Sequence, residues 1–170
     1  MAKRFQFSTR TILIAISVAA ICVALITIPI NKHYAELRYV ATLRDKCPDL
    51  IVQSTPVGPD WLIESFARTT GTPYWMTRVG SIDVSGDSIR NGNFLPTKVK
   101  FDDDDLLEMQ RALPHLWRIT ATRTALSDQS VATFNKFDKL KTLDLYESNV
   151  SNDGLEQLRS HKRFLVNSHL

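Results

Sequence analysis

Two rhythms of hydrophobic and polar positions divide the chain. Residues 11–31 carry no charge and are mostly Ile, Val, Leu and Ala. As a helix rising about 1.5 Å per residue this stretch extends roughly 31 Å, matching the ~30 Å hydrocarbon core of a bilayer. It predicts a single transmembrane helix, because a buried core helix of that length normally keeps a polar face. Tyr34, Leu37, Ala41 and Leu43/Arg44 follow at helical spacing. They predict a juxtamembrane helix over 32–47 that stops before Pro48, since the residue preceding a proline disfavours the α region. Its stripe either packs on the domain or pairs with a second copy. Leu50–Val52 reads as a short strand, and Pro56, Gly58 and Pro59 as a loop. Asp60 then suits the start of a helix, with Trp61, Leu62 and Phe66 facing inward.

From Val79 onward the rhythm changes to a 24-residue offset. Leu116, Ile119 and Ala121 recur as Leu140, Leu143 and Leu145, while Leu126, Val131 and Phe134 recur as Val150, Leu155 and Leu158. Val79, Ile82 and Val84 share the spacing of the first set, and Phe101, Leu106 and Met109 that of the second. Each unit places a short strand with alternating inward residues, then a turn into a helix; Val131/Phe134 and Leu155/Leu158, three apart, would then both point inward. One unit cannot bury its apolar edge alone, so neighbours must stack. The stretch 86–98 reads as an insertion in the first unit. Phe164 falls where a fourth strand would start, with Asn167 and His169 in place of core residues. The predicted fold class is α/β: a short solenoid of about three units with an N-terminal α/β cap, preceded by the transmembrane helix. The boundaries are a basic tail at 1–10, the span at 11–31, the helix at 32–47, a cap region at 48–78 and repeats at 79–170.

The stretch Leu140–Leu155 resembles the bacterial leucine-rich repeat pattern LxxLxLxxTxIxDxGLxxL. Phe101–Leu106 and Leu126–Val131 look like diverged copies of its second half. Phe5–Leu13 is similar to the start of small bacterial proteins that pair an N-terminal anchor with such repeats, and Pro59–Leu62 followed by Val79–Val84 to the segment leading into their repeats. Ala121, Thr124–Ala125 and the insertion depart from the pattern. The resemblance implies a binding or structural module and brings no catalytic motif.

Charge sharpens the picture. Lys3, Arg4 and Arg10 account for the whole formal net charge of +3, and from Lys32 onward 18 Lys/Arg face 18 Asp/Glu. That neutrality removes the electrostatic footprint of a nucleic-acid binder. Positive residues flank both ends of the span almost equally, so the positive-inside rule decides little. The expected placement is a single-pass inner-membrane protein, held by an uncleaved signal anchor, with the C-terminal part extracytoplasmic. Cys47 is the only cysteine outside the span, which excludes an intramolecular disulfide there and reads as a half-buried free thiol.

Candidate chemistry is sparse. Asp102–Asp105 lacks the spacing and turn glycine of a calcium loop. The acids suit a helix N-terminus instead, and no metal or cofactor is predicted. His33, His115, His161 and His169 show no ligand spacing, and no GxSxG, phosphate loop or CxxC pair occurs. No enzymatic activity is expected. Between the inward strand residues lie Ser81, Asp83, Arg118, Thr120, Thr122, Thr142, Asp144 and Tyr146, with Trp117 at the edge. These predict a small concave face for a protein partner, on a membrane-anchored binding module. The alternative is an envelope protein that forms homo-oligomers through the helix at 32–47.

Overall fold

A computed structural model describes residues 9–69, 71–85, 87–90, 93–96, 99–160 and 165–167. The tail at 1–8, Phe164, His161 and His169 lie outside the described residues. In chain order the elements are α1 (Thr9–Lys46), β1 (Ile51–Pro56), α2 (Asp60–Thr69), a 3-10 turn (Tyr74–Met76), β2 (Thr77–Asp83), β3 (Asp87–Arg90) and β4 (Asn93–Pro96). There follow α3 (Asp103–Ala112), β5 (Arg118–Thr120), α4 (Ser130–Phe134), β6 (Thr142–Asp144), α5 (Asn152–Ser160) and β7 (Leu165–Asn167).

Five strands form one sheet in the order β1-β2-β5-β6-β7, and β3-β4 form a separate hairpin. β2, β5, β6 and β7 are parallel, with Ile82, Ile119, Leu143 and Val166 in register. The core lies between this sheet and the helices that return from strand to strand. Leu106 and Met109 of α3, Phe134 of α4 and Leu158 of α5 are fully enclosed against Ile82, Ile119 and Leu143. Parallel neighbours need a crossover of a dozen or more residues, and these helices lie within those crossovers.

The architecture corrects the expected leucine-rich-repeat solenoid: the sheet is mixed. β1 runs antiparallel along the edge of β2, with an irregularity between Gln53 and Ser54. The segments between the parallel strands are also unlike one another. One contains the β3–β4 hairpin and the 10-residue α3, the next the 5-residue α4, the last the 9-residue α5. A solenoid requires like units stacked on like, and these are not alike. At β7 the inward residue is Val166, paired with Leu143, while Asn167 pairs with Asp144; pairing there is one residue shorter than the 24-residue offset.

The N-terminal expectation is corrected as well. Among the described residues no helix is long and apolar enough to cross a membrane, which overturns the transmembrane segment at 11–31, the signal anchor and the inner-membrane placement. Residues 11–31 are not a self-contained span but the first part of one continuous helix to Lys46, whose second half is charged and docks on the domain. The side chains of Cys22, Leu25, Ile26 and Pro29 lie outside the described residues. Of the rest, Leu13, Ile14, Ile16, Ile21 and Val23 stand exposed.

The docked half buries His33, Glu36, Val40 and Leu43, and Cys47 just past its end is buried too. Glu36 pairs with Arg78 of β2 (3.4 Å) and accepts from the Val79 amide (3.2 Å), and the His33 Nδ1–H donates to the Thr77 carbonyl (3.1 Å). This stripe is rotated from the apolar one read in the sequence: Tyr34 and Leu37 face outward. Helix α2 also differs from expectation. Trp61 is 69% exposed, and Leu62 and Phe66 are only half-buried.

The acids at 102–105 belong to the fold. Asp102 caps α3 by accepting from the amides of Asp104 and Asp105 (both 3.1 Å), and Asp105 returns the contact to the Asp102 amide (3.4 Å). Asp105 also pairs with Lys46 of α1. Asp103 accepts from the Ser127 amide (2.9 Å) and from the hydroxyls of Ser127 and Ser130. Desolvation works to raise the Asp103 carboxyl, but these hydrogen bonds prevail and hold it below its usual range. Asp128 repeats the staple one strand later, accepting from the Ser151 amide and hydroxyl (both 2.7 Å).

Candidate functional site

Alternation along a strand sends every second side chain to the face opposite the core. On that outer face the register aligns two rows across the sheet. One runs Gln53, Ser81, Arg118, Thr142, Leu165; the other runs Ile51, Asp83, Thr120, Asp144, Asn167. Adjacent strands lie about 4.8 Å apart, so each row spans roughly 19 Å. Between the first three strands the face dips into a cleft of about 160 Å³, lined by Ile51, Gln53, Ser81, Asp83, Arg118 and Thr120.

The structure brings Arg118, Thr120, Thr142 and Asp144 together on this face, with Arg118 exposed and the other three half-buried. Thr122 is elsewhere: it is buried in the turn after β5, where Arg123 adopts a left-handed φ of 57°. One strand further on Glu147 has a φ of 51°, and Arg123 Nε reaches Glu147 Oε2 at 2.6 Å. Tyr146 is 37% exposed beside this pair; the hydrogen bond from Arg123 above all, then one from the Tyr146 hydroxyl, hold the Glu147 carboxyl low against desolvation. Trp117 is half-buried. Its indole Nε1 lies 2.7 Å from where a Cβ on Gly80 would sit, beside Thr55 Oγ1 at 2.6 Å, so only glycine lets the ring lie across β2. His115 is half-buried in the preceding turn. Desolvation first, then Arg78, Lys32 and Lys139, hold its pKa below the usual histidine value.

Four members of the face escaped the sequence reading: Ile51, Gln53, Leu165 and Asn167. Ile51 and Gln53 join it because β1 pairs with β2. Their strand was legible in Leu50–Val52, and its alternation with Val52 inward would have marked both as outward. Its pairing partner was not, because nothing local states which distant strand it meets.

Asp83 is the least satisfied residue of the face. Its Oδ1 is enclosed and has no hydrogen-bond partner. Buried polar atoms are nearly always paired, and each exception requires a reason. Along its row the acids Asp83 and Asp144 flank Thr120, while Arg118 stands two residues back along β5.

No protein-family model matches the chain, and no curated protein and no solved structure matches it.

Proposed function

We propose that the chain is a non-catalytic binding module that offers the outer face of its five-stranded sheet to a protein partner. The observation that carries this reading is the two-row face, polar except for Ile51 and Leu165, laid across five strands and backed by a fully packed core. A rigid sheet holds such side chains in fixed geometry, which is what recognition requires. The face is small. Rows of about 19 Å, one strand-repeat of ~7 Å apart, fall well short of the ~800 Å² each side contributes to a standard interface. It therefore suits a loop or extended segment of the partner rather than a broad flat surface.

Arg118, Tyr146 and the half-buried Trp117 are the anchors, because Arg, Tyr and Trp dominate interface energetics. Arg118→Ala and Tyr146→Ala are each expected to weaken partner capture by about tenfold or more, with the circular dichroism spectrum unchanged. The measurement is affinity capture with quantitative mass spectrometry. Undiminished capture by both variants sinks the reading, and homodimers cross-linked through residues 31–47 would favour self-association instead.

A further inference from the structure

Resting on that reading of the sheet face, we propose that the cleft beside Asp83 is a subsite for one basic side chain, a lysine or arginine of the partner protein.

Size selects the kind of guest. At about 160 Å³ the cleft is smaller than the ~300–1,000 Å³ pockets that enclose a metabolite-sized ligand. It holds the space of roughly five waters at ~30 Å³ each, which accommodates one side chain. A side chain delivered by a polypeptide lying along the polar rows fits both the cleft and the open face around it.

Charge selects the chemistry. The Asp83 carboxylate lines the cleft and has an oxygen that the protein leaves without a donor. Rotation about its χ2, a broad torsion in Asp, turns either oxygen toward an entering N–H group. A donor carrying positive charge gives the strongest hydrogen bond to a carboxylate. Asp144 reinforces the selection from the far side of Thr120, two strand spacings or about 10 Å away. Opposing it, Arg118 lines the same cleft about 7 Å back along the strands; being exposed, it repels a second cation only through high-dielectric solvent. Arg123 and Glu147, just past the ends of β5 and β6, pair with each other. Asp83 also lies against Ile51 of β1, an apolar wall for the methylene stem of a lysine or arginine.

The test is an NMR titration of the full chain, kept in solution with a non-ionic detergent. The probes are Nα-acetyl-lysine methylamide and its arginine, glutamate and norleucine counterparts. The basic probes are expected to shift the amides of Asp83 and Thr120 with millimolar affinity. Asp83→Asn weakens them about tenfold, and Asp144→Asn weakens them less. Arg118→Ala tightens them by up to about fivefold, because it removes a like charge. A glutamate probe that binds as well as the basic ones, a norleucine probe that matches them, or no shift at about 50 mM probe overturns the proposal. Should Asp83→Asn fail to fold, the comparison of basic and acidic probes on the unaltered chain decides by itself. Capture lost through Tyr146→Ala with no probe binding removes the subsite and leaves the face as a binding surface. Probe binding with capture indifferent to both face variants leaves the subsite and removes the wider reading.

Discussion

Cys47 sits where α1 ends, 3% exposed, its amide donating to the Leu43 carbonyl (2.8 Å) and its carbonyl accepting from Leu50 (3.1 Å). Burial above all, then the carboxylate of Asp105, push its thiol up to about 11, with Lys46 pulling the other way. Only the thiolate is nucleophilic, so against the ordinary value of 9.0 the reactive fraction near pH 8 falls about a hundredfold. In a Cys22→Ser background the folded chain is expected to resist alkylation near pH 8 and to react at the ordinary rate in denaturant. Equal rates in the two states would show that Cys47 is neither buried nor perturbed. A free thiol at this position was legible from the cysteine count. Its complete burial was not, because the residues that cover it come from distant parts of the chain.

At the scale of elements, the docking of α1 on β2 rests on a buried ion pair. Glu36 and Arg78 keep 6% and 7% of their side chains exposed. Desolvation raises the Glu36 carboxyl and outweighs the hydrogen bond from Val79 and the attraction of Arg78 and Lys32. Removing one partner of such a pair strands the other charge, so Glu36→Leu is expected to cost about 3–5 kcal/mol. Glu36→Leu combined with Arg78→Met should recover more than half of that, because no stranded charge remains. Urea denaturation of the three chains measures it, and a double variant no more stable than the single one would mean that the pair is not what holds the helix. Hydropathy pointed to the wrong face of this helix for the same reason. Its inward stripe includes His33 and Glu36, whose partners are the Thr77 carbonyl, the Val79 amide and Arg78. A polar residue can face a core only when a distant partner meets it, and periodicity carries no record of that partner. The Asp103 staple is half legible, because its acid suits a helix start, whereas nothing local singles out Asp128; the serines the two acids hold lie 23 to 27 positions further on. The β3–β4 hairpin, pairing Arg90 with Asn93, had a signal that went unused: Asn91-Gly92 between Ile89 and Phe94, the commonest two-residue hairpin sequence.

For the whole molecule, the two halves of α1 carry different consequences. The first half presents apolar side chains to its surroundings, Leu13, Ile14, Ile16, Ile21 and Val23 among the described residues. The second half supplies Val40 and Leu43 to the core, and Cys47 just past its end joins them. A chain beginning at Lys32 is expected to keep a cooperative thermal transition close to that of the full chain. A chain beginning at Asp49 forfeits about 1.5–3 kcal/mol for each large buried side chain, together with the Glu36–Arg78 pair. That loss is comparable to the 5–15 kcal/mol stability of a typical domain, so cooperative melting should disappear. Identical melting of the two truncated chains, followed by circular dichroism, would show that the docked helix contributes nothing. What the sequence determined by itself is the set of inward positions in and beside the parallel strands. Val79, Ile82, Val84, Leu116, Ile119, Ala121, Leu140, Leu143 and Leu145 are all 0–3% exposed, because a recurring apolar spacing is a local property that the residues themselves carry. The tertiary structure alone decided that β1 closes the edge of β2, that Val166 rather than Asn167 turns inward, that α1 runs unbroken into a polar docking stripe, and that Asp83 lines a cleft with Ile51 and Gln53. Each of these depends on which distant segment lies alongside, and that is settled by competition among all possible pairings for burial and hydrogen bonds, not by spacing along the chain.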